Sequence, residues 1–203
     1  MTDAALLRLL QLADPAIPTG AAAHSFGLET LASDGVLDPS NLEQFLAAWL
    51  QESGAQEAIF LRRAYQADAR ELSVELSARK PASESRDASL KLGRRFAQLV
   101  NSIAHTQIEP DLHYSIAFGS AASALGIDQD AAVLAYLQQS VAGLVSACQR
   151  LMPLGQVAAA QVVWNLKPAI MQAAVAKEIL CFTPLPEIAS MRHPWLETRL
   201  FIS

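Results

Sequence analysis

Only two of the 203 residues are cysteine, Cys148 and Cys181, and they stand far apart with no CxxC or other metal-ligand spacing. That excludes a disulfide framework and fits a reducing compartment, where each thiol would serve as a small buried apolar side chain. Charge is also scarce, at 17% of residues, and positive charge scarcer still. Fifteen Lys and Arg against twenty Asp and Glu leave a formal charge of −5, without the clustered positive field that a phosphate backbone needs. Nucleic acid is therefore disfavoured as a partner. Glycines are few and dispersed: Gly20, Gly27 and Gly35 lie too far apart to cradle a phosphate, and no GxxxxGK[ST] element binds a nucleotide. GxSxG, HExxH and ExxH spacings are missing as well. Arg8, Arg150 and Lys167 interrupt the longest apolar stretches, so no unbroken run of eighteen apolar residues remains. The N-terminal MTDAALLRLL carries Asp3 early and has no basic n-region, unlike a secretory signal. The expectation from these absences is a cytoplasmic globular chain.

What is abundant is alanine and leucine, within a hydrophobic share of 52%. Such sequence favours closely packed helices, and the balance is apolar enough to leave surface for partners. Almost every segment longer than ten residues has helical spacing, and period-two alternation is not convincing anywhere. The pattern predicts helices over 4–13 and, after the DPAIPTG turn, over 24–33. Pro18 and Gly20 suit the second and fourth positions of a type I turn. Asp38 and Pro39 then mark a helix start, with Ser40 and Glu43 as an alternative capping box, and the helix runs to about Tyr65 with a bend or break at Gly54. DARELSVELSA makes a fourth helix. KPASES reads as a loop before a helix over 86–104, whose stripe is Ala88, Leu92, Phe96, Leu99 and Ile103. Helices follow over 112–125, from Asp128 to Pro153 with a stripe from Leu134 to Met152, and from Gln156 to about Cys181 with a kink or restart at Lys167-Pro168. The fold expected is all-α, a single-domain helical bundle of seven to nine helices spanning 1–203, with an apolar C-terminal tail.

Three constellations could carry chemistry. His105, Glu109, Asp111 and His113 could form a metal cluster for a helical metal-dependent enzyme, or simply a polar connector broken by Pro110. Arg62-Arg63 and Arg94-Arg95 could meet partner carboxylates or line solvated helix faces. His24 beside Ser25 suits a turn or cap better than a catalytic pair, because adjacent helical residues point about 100° apart. No catalytic residue stands out. The tail IASMRHPWLETRLFIS does. Ile188, Met191 and Trp195 fall at i, i+3 and i+7, Phe201 and Ile202 add apolar surface, and Arg192 and Arg199 could give bidentate hydrogen bonds. It packs either on its own bundle or on a partner; residues alone do not separate these.

Several stretches together are similar to the urease accessory protein family UreF. Near the N-terminus stand Pro18, Gly20, His24, Ser25, Gly27, Leu28 and Glu29; in mid-chain RDASLKLGRR holds Ser89, Gly93 and Arg94. HYSIAFGSAASALGI and RLMPLGQ follow, and the C-terminus resembles the family's Ser-x-Arg-His…Arg-Leu-Phe-x-Ser signature. Two positions depart from the family pattern: Ala21–Ala23 replace a bulky aromatic, and Pro194 replaces an acidic residue. The resemblance implies a non-enzymatic chaperone that dimerises and joins UreD (UreH) and the GTPase UreG, so that nickel reaches apo-urease in a GTP-dependent step. Nickel is then handled by the complex, GTP is bound by UreG, and this chain holds no permanent cofactor or metal. The implied partner-binding residues are Arg192, His193, Arg199, Leu200 and Phe201 in a 182–203 docking tail, with Pro18, Gly20, His24, Ser25, Glu29 and Arg150. A further reading lets Arg150 or Arg94 reach the nucleotide of UreG as an arginine finger.

Overall fold

Thr2 starts the first helix: its hydroxyl accepts the Ala5 N–H at 3.2 Å, and α1 (Asp3–Leu12) follows. A computed structural model describes residues 1–180 and 182–203; among these no strand occurs, and Cys181, expected buried, lies outside them. After a 3-10 turn (Ala21–Ala23) comes α2 (Leu28–Ser33). The next helix, α3 (Leu42–Trp49), begins later than Asp38-Pro39 suggests. The Asp38 carboxylate instead gathers the Ser40 and Asn41 N–H groups at 2.7 and 3.3 Å, closing a turn before the helix opens. Ser40 donates its hydroxyl to Asp38, so the alternative capping box does not form.

The chain passes from α3 through a π-helical turn (Leu50–Gly54) into α4 (Ala55–Arg63), so Gly54 marks a bulge in one long rod and not a break. Asp68 caps α5 (Ala69–Ala78) by accepting two backbone N–H groups. The KPASES stretch is half helical, because α6 (Ser83–Ala104) starts within it. Then follow α7 (Tyr114–Ala124) and α8 (Gln129–Leu151), the latter capped by Asp128. Next come α9 (Gln156–Asn165), α10 (Lys167–Ala174), restarting at Pro168, and α11 (Pro184–Arg192), which leads into a 3-10 turn (His193–Trp195). Counting α3 with α4 and α9 with α10 as single bent rods, the described residues form nine helices. The α10 end at Ala174 falls short of the predicted Cys181.

The core centres on α4, α6, α7 and α8. Phe96, Phe118, Tyr114 and Tyr136 meet there, with the Phe96 and Phe118 rings stacked at 5.4 Å. The buried face of α6 is Ala88, Ser89, Leu92, Gly93, Phe96, Ala97 and Val100. Leu99 is only half-buried and Ile103 is 50% exposed, because the α6–α7 contact rotates the stripe towards small residues that let the backbones approach. Leu134 likewise lies outside the buried face of α8, while Leu137, Val141, Leu144, Val145 and Cys148 lie on it. This helix is long and apolar enough to cross a membrane by composition, and half of its most apolar window is buried inside the bundle.

One buried polar group sets an acid limit on the fold. His113 is fully buried, with Ser77 2.9 Å from Nε2 and Ser89 3.0 Å from Nδ1. Burial is the main cause that pushes its pKa from 6.5 down to about 4. Between those values the unfolded chain binds a proton that the folded chain refuses, so stability falls as the pH drops through this window. The loss expected by pH 4 is about 3 kcal/mol from this ring. Denaturant midpoints at pH 7 and pH 4.5 check it, and His113→Asn should flatten the difference.

Candidate partner-docking site

The site begins at the turn after α1. Asp14 accepts the Ala16 N–H at 2.8 Å, and the Thr19 N–H bonds to the Ile17 carbonyl at 2.7 Å around Pro18. That is a three-residue turn, tighter than the predicted type I turn. Gly20 follows at φ +84°, with the Arg95 guanidinium packed where a Cβ would sit. Arg95 also donates to the Thr19 carbonyl at 3.4 Å. His24 and Ser25 lie before α2, outside the helix expected for them, because Phe26 and Gly27 both take positive φ and turn the chain. At Gly27 a Cβ would come within 2.7 Å of the Pro186 carbonyl, so the missing side chain lets α11 press onto the start of α2.

Onto this turn the C-terminal segment folds back. Its residues 201–203 run alongside 23–25: the Ile202 N–H bonds to the Ala23 carbonyl at 2.8 Å, and the Ser25 N–H bonds to the Ser203 carbonyl. The Ser203 hydroxyl lies 2.5 Å from His24 Nδ1. Burial lowers the pKa of His24, and Lys91 and Arg95 lower it further, so the ring is neutral at physiological pH. Glu29, itself buried, is the keystone. Its carboxylate accepts the Leu200 N–H at 2.5 Å and the Phe201 N–H at 3.2 Å, and lies 2.7 Å from His193 Nε2. Glu84 faces the other side of that ring, 3.1 Å from Nδ1. Arg150 covers the junction, donating to the Ala22 and Leu200 carbonyls at 2.8 and 3.3 Å, with its guanidinium 4.1 Å above the Phe201 ring. Arg192 pairs with Asp34 at 2.6 Å.

The tail therefore packs on its own bundle, yet not with all of its apolar residues. Phe201 and His193 are buried; Ile188, Met191, Trp195, Leu200 and Ile202 are 54%, 44%, 80%, 57% and 61% exposed. Of the residues expected to meet a partner, Pro18, Arg150, Arg192, Arg199 and Leu200 reach the surface, and Gly20 is half-buried. His24, Ser25, Glu29, His193 and Phe201 hold the tail down from inside. Sequence reasoning missed Asp34, Glu84 and Ser203. Glu84 sits in a stretch that reads as a loop, and nothing in a single sequence pairs it with a residue 109 positions away.

A mostly apolar cleft of about 230 Å³ runs beneath this junction, from His24 and Arg150 past Tyr136 to the Glu57–Lys80 pair. Burial opposes the charge on Glu57, and Lys80 at 2.5 Å outweighs it, holding the carboxyl below its usual range.

The alternative metal cluster is not assembled. His105 is exposed in the left-handed C-cap of α6, Glu109 bonds to Arg70 at 2.5 Å, Asp111 pairs with Arg94, and His113 is buried among serines. Among the described residues, no three His, Cys, Asp or Glu side chains come together as a metal site. The paired arginines are also engaged within the chain: Arg62 with Asp130 and the Ala174 carbonyl, Arg63 with Glu75, and Arg94 with Asp111.

Four of the stretches that carried the family resemblance meet here: the N-terminal turn, RDASLKLGRR through Arg95, RLMPLGQ through Arg150, and the C-terminal segment. The family model UreF matches residues 36–167. Whole-length relatives extend the match over both ends. A urease accessory protein UreF of Nostoc sp. (strain PCC 7120) is 37% identical, covering 100% of this chain and 98% of that protein. The protein of the same description from Trichormus variabilis is 35% identical with the same coverage. One from Paenarthrobacter aurescens is 33% identical over 97% of both. The chain belongs to the UreF family of urease accessory proteins, helpers of the enzyme and not catalysts.

Proposed function

We propose that this protein is the scaffold that joins a UreD-type (UreH) subunit and the GTPase UreG, so that their complex inserts nickel into apo-urease. Nickel is the cargo of that complex, GTP is the ligand of UreG, and a homodimer of this chain is part of the same reading. The observation that carries it is the half-used tail. The segment is fixed by buried polar bonds, while Ile188, Met191, Trp195, Leu200 and Ile202 stay exposed beside Arg192 and Arg199. A large apolar side chain contributes about 1.5–3 kcal/mol when buried, so several of them on an already ordered segment can hold a partner with little further ordering cost.

Co-purification with a UreD-type partner tests this, with light scattering for stoichiometry. The full chain is expected to form an equimolar complex, and a chain ending at residue 181 is expected to form none. Trp195→Asp with Leu200→Asp should weaken binding at least about tenfold without unfolding the bundle, since both side chains are exposed. Undiminished binding by the truncated chain and by the double variant would sink the proposal.

A further inference from the structure

The ring of His193 is fully buried, and each of its two nitrogens faces a carboxylate oxygen, Glu29 at 2.7 Å and Glu84 at 3.1 Å. A neutral imidazole has one N–H and one lone pair. It could bond to one carboxylate and would set its lone pair against the other. An imidazolium donates to both. Glu29 is not free to rotate away, because its oxygens also hold the Leu200 and Phe201 N–H groups. Nearby charged groups have other partners: Arg192 turns to Asp34, Glu187 accepts the Ala82 N–H at 2.8 Å, and Lys80 pairs with Glu57.

We infer that His193 is stored as an imidazolium bridging Glu29 of α2 and Glu84 of α6, and that Glu84 is a positioning residue whose charge seats the C-terminal segment. Three sequence-distant groups then form one lock. Glu29 ties the ring to the backbone of residues 200–201, and Glu84 ties it to the first turn of α6. The lock orients the 3-10 turn so that Trp195 points outward at 80% exposure while Phe201 points in. That this orientation presents the tail to a UreD-type subunit rests on the function proposed above. The lock itself does not.

The test uses the full chain alone, with nitrogen-15 labelling of histidine and amide hydrogen exchange. His193→Gln assigns the ring signals. The wild-type His193 ring should show two protonated nitrogens at neutral pH. Glu84→Gln keeps an oxygen acceptor and removes only the charge. It should convert the ring to one protonated and one bare nitrogen, and speed exchange of the Leu200 and Phe201 amides about tenfold, with helix content unchanged. Glu84→Asp should restore part of both signals. A bare nitrogen in the wild-type ring overturns the inference, as does unchanged amide exchange in Glu84→Gln. Failure of the wild-type chain to bind the UreD-type partner, with the ring signature intact, would remove the docking function and leave the lock standing.

Discussion

Glu29→Ala is expected to release the C-terminal segment. The wild-type carboxylate meets three groups from the tail: the His193 ring and the Leu200 and Phe201 N–H groups. Removing it leaves one nitrogen of a buried ring and two backbone donors without a partner, and only Glu84 still holds the ring. Each buried donor left unsatisfied costs about 1–3 kcal/mol, well above the value of an exposed ion pair. Part of that cost can be escaped if the tail opens as a unit while the bundle stays folded. The variant should therefore show a modest drop in melting temperature together with rapid proteolysis between residues 182 and 203. Phe201, now 5% exposed, should leave the Arg150 guanidinium, and partner binding should fall with it. A protease-resistant tail in Glu29→Ala would show that Arg150, Ser25 and the Arg192–Asp34 pair suffice to hold it.

Gly93→Ala should damage the bundle itself. A Cβ at Gly93 would lie 2.0 Å from the Leu112 carbonyl oxygen and 2.9 Å from the carbonyl carbon of His113. Both are backbone atoms and cannot swing aside as a side-chain tip would. The 112–113 segment is also pinned, because the His113 N–H bonds to the Ser73 hydroxyl at 3.1 Å and its ring bonds to Ser77 and Ser89. Alanine gains about 1 kcal/mol in helix propensity, and overpacking of this kind costs more, so the net loss expected is about 2 kcal/mol or greater. For a chain of this size that lowers the melting temperature by roughly 4–8 °C. Gly143→Ala on α8 is the matched control. No atom lies within 4 Å of a Cβ there, so propensity acts alone and the variant should gain stability. Loss at both positions would mean that helix propensity, and not the α6–α7 contact, had been misjudged.

The helices and their caps were legible because they depend on neighbours in the chain. Asp128 caps α8 and Asp68 caps α5 through bonds two or three residues long. Pro168 stands in the first turn of a restarted helix and Gly54 closes a π-helical turn, both as local backbone chemistry allows. The errors were also local in kind. Asp38 could cap a helix or close a turn, and its carboxylate chose the turn. His24 could open a helix, but positive φ at Phe26 and Gly27 delays α2 to Leu28. The α6 stripe follows the helical period, yet which arc faces inward depends on what packs there. Gly93 and Ser89 let α7 come close, and that turned Ile103 outward.

The sequence by itself determined the helical class and marked 188–202 as an unusually apolar segment carrying two arginines. Each follows from composition or from spacing within a few residues. Tertiary structure decided where that tail goes and which side of it remains uncovered. Glu29 and His193 stand 164 positions apart, and Glu84 stands 109 from the same ring. Their meeting is set by the packing of α11 against α2 and α6, through the bare backbone of Gly27. Periodicity marks an apolar face and not its occupant. Here Phe201 fills the bundle's own surface, and the physical reason is that Glu29 accepts its N–H and that of Leu200 while the Ala23 carbonyl accepts that of Ile202, so the backbone around the ring is buried satisfied.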